Sequence, residues 1–155
     1  KLGIGWKSPG EYQLLPANVA FARAAQQYIQ QAKLLVPNWT ASCDLPLLLP
    51  RMKVVAPRLV TQYFSNARNP EEGDLRHLAQ MFVEENKSGD VQRFQAAEPG
   101  FRKVIRSGPA NAVAVPQSQS DRVLTELKSI NPGWHRVLEA GGLVLMLPGN
   151  KAPTL

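Results

Sequence analysis

The 155-residue chain has little of what most chemistry requires. One cysteine and two histidines are all it offers as soft or imidazole ligands. Cys43 alone cannot close a disulfide within the chain, which favours a reducing, cytoplasmic setting. There is no apolar run long enough to span a bilayer and no signal-peptide pattern, so no membrane role is expected. No phosphate loop, paired Cys/His finger, nucleophile elbow, internal repeat or low-complexity tract occurs, and no cofactor is expected. Aromatic residues are 7% and charged residues 19%, while hydrophobic residues reach 44%, which is enough for a packed core and argues against disorder.

Charge is the feature present in excess. Eighteen Lys and Arg against twelve Asp and Glu leave a net charge of +6. The surplus is uneven. Seven basic residues face two acids between Lys1 and Arg58, six acids face two bases between Glu71 and Asp90, and four bases face one acid between Arg93 and Arg106. The basic stretches suit anionic partners.

The coarse pattern predicts an α+β chain: a helical body over 1–107, then a β-α-β-β unit over 108–155, the two sharing one core or forming separate units. Leu14, Ala17, Phe21, Ala25, Tyr28, Ala32 and Leu35 recur at helical steps, with Pro16 at the start and Pro37 as the stop. The Asp44–Pro57 segment is apolar but broken by three prolines and reads as short helical turns. Another helix is expected over Pro57–Asn66, and a capped one from Asn69-Pro70-Glu71-Glu72 to Gly89. Two short helices follow, Asp90–Glu98 and Pro99–Ser107, stopped by Gly108. After it come a buried strand at Ala112–Val115, a helix over Ser120–Ile130 with Ser118 and Asp121 as its cap and partner, and a hairpin of 134–139 and 143–147 turning at Gly141-Gly142.

Several residues invite chemistry. Arg102, Lys103 and Arg106 fall at spacings that share one helix face, and Arg51, Lys53 and Arg58 crowd the proline-broken segment. If both groups meet, they form a phosphate-binding patch. Cys43 with His135 is the alternative, a thiolate–imidazole pair of a cysteine-nucleophile hydrolase, with a helix start lowering the thiol pKa. Against it stands the ordinary role of a cysteine beside leucines as a small buried hydrophobe. The acids Glu71, Glu72, Asp74, Glu84, Glu85 and Asp90 cluster at the ends of one expected helix, where capping and solvation account for them. His77 on that helix has no second histidine nearby and reads as a surface residue. Asn38-Trp39-Thr40 matches a glycosylation triplet that chance often produces. Arg122, Thr125 and Lys128 would face a groove if the last helix and hairpin were a winged helix, but the second closely joined helix of that motif is missing.

The ends, Lys1 without a preceding Met and a Lys-Ala-Pro-Thr-Leu tail, read as a piece of a longer protein. The expectation is a non-catalytic binding or assembly domain, contacting another protein and, through its basic patches, nucleic acid. Self-association is left open, as a shell-like packing face of small residues would allow.

Overall fold

The computed structural model describes residues 13–36, 39–55, 78–79, 82–83, 91–108 and 110–149. Among these, four α-helices and five strands form a mixed sheet with a helical layer on each side. In chain order they are α1 (Pro16–Ile29), β1 (Lys33–Leu35), α2 (Trp39–Leu48), β2 (Lys53–Val54), α3 (Val91–Ser107), β3 (Ala112–Pro116), α4 (Ser120–Ile130), β4 (His135–Ala140) and β5 (Leu143–Leu147). The sheet order is β2-β1-β3-β5-β4. β1 is parallel to both β2 and β3, and β5 is antiparallel to β3 and β4.

The α+β class therefore holds, but the all-helical N-terminal body does not: it contributes β1 and β2 to the same sheet as β3–β5. The expected first helix ends at Ile29 instead of continuing to Leu35. Leu34, Leu35 and Val36 are each fully buried in succession. A helix turning 100° per residue on a surface cannot bury three neighbours, whereas a strand covered on both faces can. β2 hydrogen-bonds alongside through Lys53 N–H to Ala32 C=O at 2.9 Å and Val55 N–H to Leu34 C=O at 2.8 Å. On the other side Asn111 N–H donates to Lys33 C=O at 3.0 Å, and Lys33 N–H donates to the Asn111 side-chain oxygen at 2.7 Å.

Strand alternation divides the core into two layers. Leu34, Ala112, Ala114, Leu143 and Leu145 face α1 and α2, meeting Phe21, Ala22, Ala25, Ile29, Ala41 and Leu45. Leu35, Val113, Val115, Val144 and Met146 face α3 and α4, meeting Phe101, Val104, Val123 and Leu127. Residues 78, 79, 82 and 83 are helical, and Ala79, Phe82 and Val83 join this second layer, with the Phe82 and Phe101 rings stacked at 4.4 Å.

The prolines proved less disruptive than their chemistry suggests. Pro46 lies inside α2, whose last residues open the segment expected to form short helical turns; a four-residue link and β2 then take the place of further turns. Pro99 lies inside α3, one 17-residue helix where two were expected. A proline costs a helix interior about 3 kcal/mol. Phe101 and Val104, buried just beyond Pro99, return roughly 1.5–3 kcal/mol each when taken from water. One continuous stripe of Ala97, Phe101, Val104 and Ile105 is thus worth more than a break.

β3, α4 and the hairpin fall where the pattern placed them. Gly141 and Gly142 both have positive φ, 59° and 76°, which suits a two-residue hairpin turn. A Cβ on Gly141 would overlap the Ala17 carbonyl, so α1 rests directly on this turn. The cap differs from expectation: α4 has no side-chain cap bond, Ser120 Oγ donates back to Gln117 C=O at 2.8 Å, and Asp121 pairs with Arg136 on β4. The helices expected over Pro57–Asn66 and Asn69–Gly89 lie outside the described residues, save residues 78, 79, 82 and 83.

Candidate anion-binding surface

α2 and α3 each enter the following strand through a four-residue link, residues 49–52 and 108–111, and α1 enters β1 through residues 30–32. All three helices consequently end where β1, β2 and β3 begin. The basic residues collect at that same end. Lys33 and Lys53 are register partners at the starts of β1 and β2. Alternation from Leu34 puts both side chains on the α3 side of the sheet. Arg51 lies in the turn just before β2, and Lys103 and Arg106 lie in the last turns of α3.

On α3, Pro99, Arg102, Lys103, Arg106 and Ser107 recur at helical steps and line an open depression of about 560 Å³. Lys103 and Arg106 are exposed and make no ion pair with a described residue. Ser107 Oγ donates to Lys103 C=O at 2.7 Å, which occupies one carbonyl of the last turn. Arg102 differs from the sequence reading. Its guanidinium pairs with Glu126 of α4 and donates to Ser129 Oγ at 3.0 Å, so its charge ties two helices together before it can meet a ligand. Arg58 lies outside the described residues. Of the six expected cations, Lys53, Lys103 and Arg106 thus share one end and one side, Arg51 lies at that end by the α2 exit, and Arg102 is largely spent. Lys33, not singled out by spacing, joins them through strand register. Part of this charge balances the carbonyl ends of α1, α2 and α3, which carry partial negative charge.

Cys43 and His135 are not brought together. Cys43 sits on α2, which packs beside β1 and β2, whereas His135 opens β4 at the far edge of the sheet. Four strand spacings of about 4.8 Å separate the two edges. His135 is exposed, with Nδ1 at 3.0 Å from Gly133 C=O. Burial raises the Cys43 thiol pKa, a Ser42 hydrogen bond lowers it and the nearby Asp44 charge raises it further; the net direction is upward, opposite to a helix-start activation. The acids Glu71, Glu72, Asp74, Glu84, Glu85 and Asp90 and His77 lie outside the described residues, as does Asn38 of the glycosylation triplet. Among the described residues no three His, Cys, Asp or Glu side chains gather as a metal site would require.

Arg122 has a role that its sequence spacing does not show. Arg122 is no groove-facing side chain: its Nη2 donates to Phe82 C=O at 2.8 Å, its Nε and Nη2 reach Gln119 Oε1 at 3.0 and 2.9 Å, and its guanidinium lies 4.5 Å from the Phe82 ring centre. Burial lowers its pKa, opposed by Glu126, yet a guanidinium stays charged at neutral pH. It clamps α4 to the segment carrying Phe82 and stabilises the fold without facing a ligand.

Set against protein-family models, curated proteins and solved structures, the chain matches none. Among the described residues no helix is long and apolar enough to cross a membrane.

Proposed function

We propose that the chain is a binding module that docks on the phosphate backbone of nucleic acid through the basic end of its sheet, as one part of a larger assembly. The observation that carries this reading is the open depression on α3, with Lys103, Arg106 and the Ser107 hydroxyl at its wall, at the end of the sheet where Lys33 and Lys53 stand in register. Lysines and arginines on an open surface read phosphate charge without base specificity. A cytoplasmic setting fits a single cysteine with no partner in the chain.

Anisotropy of a generic duplex oligonucleotide across salt concentrations tests the reading. Binding is expected to weaken steeply with salt, and Lys103→Glu with Arg106→Glu should lower the log–log slope by about two. Lys103→Gln with Arg106→Gln separates lost attraction from introduced repulsion. Absence of binding even at low salt removes nucleic acid as the partner and leaves an acidic protein surface as the class to test next.

A further inference from the structure

A second depression, in the other helical layer, has a different chemistry. It is a cleft of about 210 Å³ lined by Gln26 and Gln30 of the α1 end and by Leu48, Leu49, Pro50 and Arg51 of the α2 exit. The volume lies below the roughly 300–1,000 Å³ of pockets that hold drug-sized ligands, which suits a short branched aliphatic body and not a polymer. Leu48, Leu49 and Pro50 give it an apolar floor.

Arg51 is held by its backbone. Leu49 N–H donates to Leu45 C=O at 2.8 Å, Met52 N–H closes the turn on Leu49 C=O at 3.0 Å, and Pro50 fixes its own φ inside that turn. The Arg51 side chain is exposed and makes no ion pair with a described residue. Its planar fork matches a carboxylate better than a point anion. Gln26 and Gln30, one helical turn apart, supply amide donors and acceptors beside it. The charge around the cleft is one-sided. Between Gln13 and Val55 the single acid is Asp44, which is buried and accepts from Leu15 N–H at 3.1 Å and Asn18 Nδ2 at 2.8 Å. Arg23 and Arg51 have no other acid in that stretch to offset them.

We infer that this cleft binds a small carboxylate with a branched aliphatic body and an adjacent amide, in the manner of an N-acylated leucine, the carboxylate on Arg51 and the amide on Gln26 and Gln30. Arg51 also lies at the basic end of the sheet, but none of the cleft's residues lines the α3 depression that carries the nucleic-acid reading.

Titration of the full chain with N-acetyl-leucine, N-acetyl-leucinamide and acetate, followed by amide NMR shifts, tests it. N-acetyl-leucine is expected to saturate, moving resonances of Gln26, Gln30 and Arg51. N-acetyl-leucinamide should bind about tenfold more weakly or worse, since it loses the charge-assisted bonds, and acetate should not saturate. Arg51→Gln should reproduce the tenfold loss for the acid alone, while Lys103→Glu with Arg106→Glu should leave it unchanged. Equal affinity for acid and amide, no saturation with the acid, or indifference to Arg51→Gln each overturns the assignment.

Discussion

The two faces of the sheet are built on opposite packing principles. Towards α1 and α2 the central strand presents Ala112 and Ala114, and α1 answers with Ala22 and Ala25. Small against small brings helix and sheet backbones close, and the contact of α1 with Gly141 marks the limit of that approach. Towards α3 and α4 the same strand presents Val113 and Val115, and the opposing layer answers with Phe82, Phe101 and Leu127. Long polar side chains, Arg122 over Phe82 and Arg102 to Glu126, bridge the elements on that side. One strand can therefore serve a tight, alanine-seamed layer and a thick, aromatic-filled layer at once, because its side chains alternate.

The sharpest test of the thick layer is Phe101→Ala. Phe101 is fully buried and stacked on Phe82, so its loss should cost about 3–5 kcal/mol in denaturant unfolding. A cost below about 1 kcal/mol, small beside that of an ordinary buried aromatic, would show that the layer is loosely packed. The tight layer should fail by the opposite route. Ala114→Leu adds volume where there is none and should cost about 1–3 kcal/mol, whereas a neutral result would mean that α1 does not sit close to the sheet. The smallest effect separates the faces by pH. The Cys43 thiol, in the tight layer, has its pKa raised from 9.0 by burial, so the unfolded chain releases that proton first. Stability is then expected to fall as pH rises above about 9, and Cys43→Ser should flatten that slope. An identical slope in the variant would assign the loss to other groups.

Legibility in the sequence followed the length and self-sufficiency of each element. α4 and the hairpin announce themselves, since Val123, Leu127 and Ile130 keep helical spacing and Gly141-Gly142 marks the turn. β1 and β2, at three and two residues, are too short to show a period, and they are strands because β3 lies beside β1 and helices cover both faces. Pro46 and Pro99 misled because their local cost is visible in sequence and the burial that outweighs it is not. The same holds for the candidate surface. The spacing of Lys103 and Arg106 was readable, but the partner that occupies Arg102, Glu126, comes from another helix. Lys33 gained its place only through register with Lys53.

The seating of Ala17 against the Gly141 turn has a consequence for how the chain acquires its shape. The α1 helix covers residues of a hairpin far later in the chain, so its inner face has no complete partner until that hairpin has been synthesised. Closing so long a loop is entropically expensive and slows the search, and an emerging chain must keep Phe21 and Ile29 from other apolar surfaces meanwhile. A truncation before the hairpin would strip away Leu143 and Leu145 and leave α1 with an open flank, making formation of β4 and β5 the step that commits α1.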